Sequence, residues 1–503
     1  MSNNRRHRAK KNIFTSIFTQ IMTVLCGIVV PWMMISAFGS ESYGAVSSIT
    51  QFLAYITLLE GGIGGVARAV LYKPLAENDI DTISAIMLEV KRFFRIVAYI
   101  FVIYVLVLAC SFHYISNITS LDWLTTFLLV IVISISTFSQ YFIGISYAIL
   151  LQAAQKTYIN NMVSIGGIIF NAITTIVLIL MGYNLIIVKL VSSFIFIMRP
   201  LFFVWYVRKH YKLKENILLK KTKEFLSQKW VGLGQHISFF LHSNTDIVVL
   251  TVLTNLRIVA VYSVYNMIVS QIQNFAISFT SGMESVFGDL LARNEKQQIC
   301  RSFGTYETII SIVSMILFST TAVLIIPFIR LYTTNVTDAD YIQPLFALLL
   351  ILTAIGYCLR LPYHAMVIAA GHFRQTSMAA YGEAIINIFL SISLVYVYGL
   401  IGVVLATLIA TWSRFFYYVI YLSNNIFYRD IKLFIKRFMV NVTVFGFNCM
   451  LGYKIIELFK IDDYFIWSLC GVILVITTGI STLIINYMFF KEDCRSLFLK
   501  FNV

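Results

Sequence analysis

The chain has 503 residues, of which 59% are hydrophobic and only 12% charged, and its formal net charge is +15. So little charge cannot cover the surface of a soluble protein of this length. Apolar runs long enough to cross about 30 Å of hydrocarbon recur from end to end; they do not alternate and exceed barrel strands in length, so helices must satisfy the backbone in lipid.

The first residues, RRHRAKK at 5–11, precede a long apolar run. This superficially resembles a signal peptide, but no small-residue cleavage site follows, so a retained first helix is expected. Fourteen spans are predicted, at 13–38, 43–67, 94–116, 121–150, 159–181, 183–207, 230–254, 258–287, 303–330, 341–370, 378–398, 400–422, 434–457 and 463–489. Tight connections such as GYN at 182–184 and YGL at 398–400 pin their neighbours as antiparallel hairpins.

Lysine and arginine set the orientation. With the N-terminus inside, inner segments hold 30 of the 38 basic residues and outer segments four. The positive charge is therefore spent on topology and on anionic lipid, and nucleic acid is not expected as a partner. Both termini are expected in the cytoplasm. No connection is long enough for a soluble domain, there is no P-loop, and the short outer loops leave no room for a transferase or polymerase site. An enzyme is not expected. The seven cysteines are scattered without zinc spacing and read as small buried hydrophobes. NIT at 117–119 and NVT at 335–337 fit the glycosylation sequon and fall outside in this topology.

The chain repeats itself. Shifting by 216 positions aligns Tyr141–Leu178 with Tyr357–Leu394 without a gap, with 10 of 38 positions identical, among them Tyr141/Tyr357, Tyr147/Tyr363 and Asn171/Asn387. The same shift brings Arg199 to within one residue of Arg414. The expected organisation is a basic N-terminus at 1–12, a six-helix lobe at 13–207, a basic linker at 208–229, a second six-helix lobe at 230–422, two extra spans within 434–489 and a tail at 490–503. The lobes are parallel repeats, and a substrate path is expected between them.

Charges deep in a span are costly and mark candidate sites. Arg360 sits mid-span with His364 one turn on and Pro362 between them. This suits a cationic anchor for an anionic headgroup; the alternative is a staple to a buried acid such as Glu383. Arg414 and Arg199 are further candidates, with snorkelling to lipid phosphate as their alternative. Lys189 is close enough to the outer face to snorkel. His242 and Asp246 share a face of the seventh span and suit proton or sodium coupling, or a structural pair. Glu60 opens LLEGGIGGVAR, whose glycines allow either close helix approach or a hinge; Glu60 pairs with a cavity arginine or with Arg68. The aromatic run FFYYVIY at 415–421 reads as interfacial belt and lipid-facing packing.

Three stretches carry a resemblance: FGSESYGAVSSITQFLAYITLLEGGIGGVARAVLYKPLAEND at 38–79, HSNTDIVVLTVLTNLRIVAVYSVYNM at 242–267, and AAGHFRQT with NIFLSISLVYVYGLIGVVLAT within 369–407. Together the chain resembles the Wzx-type polysaccharide repeat-unit flippases of the multidrug/oligosaccharidyl-lipid/polysaccharide exporter (MOP) superfamily. The resemblance implies a fourteen-helix, two-lobed carrier with a cationic cavity. Its substrate would be an oligosaccharide on a polyprenyl diphosphate, moved across a bacterial cytoplasmic membrane by alternating access. It implies no cofactor, coupling to a proton or sodium gradient, and functional association with glycosyltransferases and a polysaccharide polymerase. Asp246 matches the family's Asp in the seventh span. The acid before the glycines is often Asp and here is Glu60. The arginines rest on depth in the spans, not on a motif.

Overall fold

The computed structural model describes residues 2–60, 62–214, 233–280, 282–293, 295–427 and 429–500. Among these the fold is all-α, and eleven helices are long and apolar enough to cross a membrane. One of them, Lys10–Glu60, holds two of the predicted crossings. It is helix α1 (Ser2–Ala54), which turns at Gly39, where φ is 79°. The predicted seventh and eighth crossings are α8 (Leu233–Leu253) and α9 (Leu256–Ser278), both helical.

The chain forms two compact units, one of residues 1–240 with 254–260 and the other of residues 241–253 with 261–503. In the first unit, α1 leads through a 3-10 turn at Tyr55–Glu60 into α2 (Ile63–Glu77). There follow α3 (Ile80–Ser116), α4 (Trp123–Ser139), a π turn at Gln140–Gly144, α5 (Ile145–Ala153), α6 (Thr157–Leu180) and α7 (Leu185–His210). Asp79 caps α3 and Asn184 caps α7 by accepting from the Thr82 and Ile187 amides, each at 3.0 Å. Gly182, at φ +79°, and Asn184 make the predicted GYN turn between α6 and α7.

The second unit holds the C-terminal part of α8 and most of α9. It continues through α10 (Met283–Ala292), α11 (Lys296–Tyr332), α12 (Pro344–Ala369), α13 (Phe373–Tyr398) and α14 (Leu400–Leu422). A π turn at Ser423–Phe427 precedes α15 (Ile431–Glu457), α16 (Tyr464–Phe489) and α17 (Lys491–Lys500). Gly399, at φ +53°, makes the YGL turn between α13 and α14. Gly356 of α12 lies against the Trp412 ring of α14: a β-carbon there would fall 2.8 Å from the indole.

The predicted spans 43–67 and 258–287 are each interrupted by a left-handed glycine. Gly62, at φ +80°, precedes α2, and Gly282, at φ +90°, precedes α10. Gly62 and Gly65 have nothing within 4 Å of a β-carbon position, and Gly64 meets Ile149 only at 3.9 Å. Gly62, Gly64 and Gly65 therefore do not sit at a close helix approach, and Gly62 supplies a backbone break; Gly61 lies outside the described residues.

Two readings of side-chain environment are corrected. Phe415 and Tyr418 are buried, so half of the FFYYVIY face is core rather than belt, because α14 packs that face against α12 and α13. Cys110 and Cys300 are exposed, unlike Cys358, Cys470 and Cys494, so the cysteines are not uniformly buried hydrophobes.

Candidate functional site

Three side chains from consecutive helices meet inside the second unit. Arg360 comes from α12, Glu383 from α13 and Arg414 from α14. Arg360 Nη1 donates to Glu383 Oε1 at 2.6 Å, and Arg414 Nη1 donates to Oε2 at 2.5 Å. Side-chain exposures are 7%, 0% and 5%. Two guanidiniums thus share one carboxylate, and the buried cluster carries one excess positive charge. Tyr418 supports it: its hydroxyl accepts from Arg414 Nη2 at 2.9 Å and Nε at 3.2 Å. The Arg360 guanidinium lies 5.0 Å from the Tyr357 ring centroid. His364 stacks on Tyr418 at an interplanar angle of 4°, and its Nδ1 is buried without a hydrogen-bond partner among the described residues.

Asp246 is at the centre of a second cluster. Tyr262 Oη donates to its Oδ2 at 2.9 Å, and Thr407 Oγ1 lies 2.9 Å from both carboxylate oxygens. Thr407 Oγ1 also accepts from Asn387 Nδ2 at 2.8 Å and sits 3.1 Å from the Val403 carbonyl. One hydroxyl proton cannot serve both carboxylate oxygens and the carbonyl. Asn387 Oδ1 is buried without a hydrogen-bond partner among the described residues. The result is a compact set of oxygens around a buried acid. His242 lies on the same helix, but its side chain is outside the described residues.

A third network gathers on Glu307 of α11. Tyr363 donates to it, Arg429 Nη1 lies 3.0 Å from it and Arg437 Nε 3.3 Å. Arg437 also pairs with Asp493 of α17 and donates to Thr308 Oγ1 at 2.6 Å.

In the first unit, Glu60 accepts from the Tyr141 hydroxyl, while Arg68 Nη1 donates to Gln152 Oε1 at 2.9 Å. Glu60, Arg68 and Arg199 line one cavity of about 430 Å³. Lys189 is half-buried on α7.

The sequence-selected residues therefore fall into separate places. Arg360, Arg414 and His364 come together, Asp246 has its own cluster, and Glu60 and Arg199 share a cavity. Sequence reasoning did not single out Tyr418, Thr407, Glu307 or Arg437. The repeat did carry a signal, since three of its polar identities, Tyr141, Tyr363 and Asn387, all bond within these networks.

No protein-family model and no curated protein matches the chain. Solved structures do. The lipid II flippase MurJ in an inward closed conformation matches with a TM-score of 0.70 at 16% identity, over 96% of this chain and 99% of that one. An inward-facing multidrug resistance transporter of the MATE family, in the MOP superfamily, matches with a TM-score of 0.63 at 14% identity, over 80% and 95%. The eukaryotic MATE transporter AtDTX14 matches with a TM-score of 0.56 at 13% identity, over 83% and 96%. The chain has the fold that these transporters share, and it is a multi-pass membrane protein.

Proposed function

We propose that the chain is a flippase. It moves polyprenyl-diphosphate-linked oligosaccharide repeat units across the bacterial cytoplasmic membrane by alternating access, for a surface polysaccharide such as capsule or O-antigen. The observation that carries this reading is the Arg360–Glu383–Arg414 cluster. A diphosphate bears about two negative charges and cannot enter hydrocarbon unaided. Arginine presents a fork of donors that matches phosphate oxygens. Glu383 occupies the place of the anion, and a diphosphate that displaces it meets two prearranged guanidiniums, with His364 beside them. The polyprenyl tail stays in lipid. The carrier makes and breaks no covalent bond, needs no cofactor, and works beside the glycosyltransferases that build its cargo and the polymerase that consumes it.

Asp246 is the coupling residue in this reading. Its oxygen-rich surroundings suit a proton or a sodium ion, and either would resolve the shortage of hydrogens at Thr407. The fold shared with MurJ favours a second reading, a flippase for another lipid-linked cell-wall precursor. The fold shared with MATE transporters favours cation-coupled drug efflux, but that reading leaves the excess arginine unexplained.

The test is headgroup binding by the purified protein in nanodiscs. Polyprenyl-diphosphate oligosaccharide is titrated against native protein and Arg360→Ala, with a cationic dye as counter-ligand. Binding that weakens at least tenfold in the variant, about 1.4 kcal/mol, supports the flippase. Binding of the dye alone moves the assignment to efflux.

A further inference from the structure

Arg199 has no ion-pair or hydrogen-bond partner among the described residues, although it lies within a membrane-crossing helix. It stands where two hollows of the first unit meet. On one side is the polar cavity of about 430 Å³, lined also by Arg68, Glu60 and Asn160. On the other is a groove of about 650 Å³ between α6 and α7, which Arg199 lines together with apolar side chains. Met162, Phe170, Met198 and Trp205 of this groove are 55–64% exposed on helices apolar enough to cross a membrane. Its floor is Gly166 and Gly167, where a β-carbon would meet nothing within 4 Å.

We propose that this pair of hollows binds one anionic membrane phospholipid, with its phosphodiester at Arg199 and Arg68 and one acyl chain in the α6–α7 groove. An unpaired guanidinium in a span is costly and calls for a counter-ion. The hollow next to it is polar, and the one beyond is apolar, in the order of a lipid's own headgroup and chain. Charge selects the class of lipid. Arg68 and Arg199 against Glu60 leave a net charge of about +1 in the cavity, which balances a phosphodiester monoanion and not a diphosphate. The same charge favours a lipid that stays anionic, such as phosphatidylglycerol, over zwitterionic phosphatidylcholine, whose choline cation would face Arg68 and Arg199. This site is built from residues of the first unit and the Arg360 cluster from residues of the second, and its test does not depend on the transport reading.

The experiment is native mass spectrometry of the full chain released from nanodiscs, with phosphatidylglycerol, phosphatidylethanolamine, phosphatidylcholine and polyprenyl diphosphate as probes. Phosphatidylglycerol is expected to remain bound at least tenfold more tightly than phosphatidylcholine. Arg199→Gln and Gly167→Leu are each expected to lower that retention at least tenfold, the first by removing the cation and the second by filling the groove where there is room for a side chain. Equal retention of all phospholipids, or unchanged retention in both variants, overturns the proposal. Preferential capture of polyprenyl diphosphate also overturns it and makes the hollow a cargo site. A phosphatidylglycerol with a photoreactive acyl chain, used on the unaltered protein, guards against misfolded variants. Crosslinks are expected within 162–170 and 195–205, and crosslinks that spare both segments refute the site.

Discussion

Glu383 Oε2 lies 2.5 Å from Arg414 Nη1 while Oε1 of the same carboxylate lies 2.6 Å from Arg360. One acid therefore pairs with two arginines that come from different helices, and the three positions are not equivalent energetically. Glu383→Gln leaves two buried guanidiniums facing each other without a counter-charge, and is expected to cost about 3–5 kcal/mol. Arg360→Ala leaves Glu383 paired with Arg414 and is expected to cost clearly less. Thermal unfolding in detergent should rank the variants in that order. The reverse order would mean that Glu383 is held by something other than the arginines. Added diphosphate should stabilise Glu383→Gln more than the native protein, since the anion then replaces the lost charge.

The Asp246 cluster makes a different prediction. Asp246→Asn keeps the shape but removes the charge, and Thr407→Val removes the shared hydroxyl. Native protein is expected to gain thermal stability from sodium, or from acidification, and Asp246→Asn to lose that dependence. Melting curves recorded with sodium against potassium at fixed pH, and across pH without sodium, separate the two ions. A dependence that survives in Asp246→Asn would move the coupling site elsewhere.

Gly62 and Gly282 break their spans at φ of +80° and +90° with open space around them. Alanine at either position meets no neighbour, so its cost is the left-handed backbone alone, about 1–2 kcal/mol. Asparagine tolerates that conformation and should recover much of the loss. Unfolding midpoints of Gly62→Ala and Gly62→Asn check this. Equal midpoints would mean that the backbone there is free to leave the left-handed region.

Gly356 is sensitive for the opposite reason. Gly356→Ala pushes a methyl group against Trp412 and is expected to destabilise by about 1–3 kcal/mol through overpacking. Gly382→Ala, on the neighbouring helix with nothing within 4 Å, is the control and should be neutral or mildly stabilising. Thermal unfolding of the two variants side by side tests the contrast.

The turn before α3 responds to acid. Asp79 accepts from the Thr82 hydroxyl and amide, and these bonds hold its carboxyl below the usual carboxylate range. A depressed value contributes stability that is present above the unfolded value of about 3.9 and is lost as pH falls through the folded one. Proteolysis at 78–82 is expected to accelerate only below about pH 4. Asp79→Asn keeps the cap and should flatten that response.

The sequence by itself determined the class of protein. Apolar runs and their lengths report directly on lipid, because each residue is judged against the same solvent whatever its neighbours. The turns at Gly182 and Gly399 were equally legible, being local. Composition could not distinguish a lipid-facing aromatic from a core one, which is why Tyr418, fully buried beside Arg414, read as belt. Nor could the glycines of LLEGGIGGVAR disclose whether they served packing or a break, since that depends on what stands opposite. Pairing was decided only by the tertiary structure. Arg360 and Arg414 are 54 residues apart and share one carboxylate only because α12, α13 and α14 pack side by side. Asp246 and Thr407 are 161 residues apart and touch for the same kind of reason. The cost of burying a charge depends on its partner, and partners are chosen by packing.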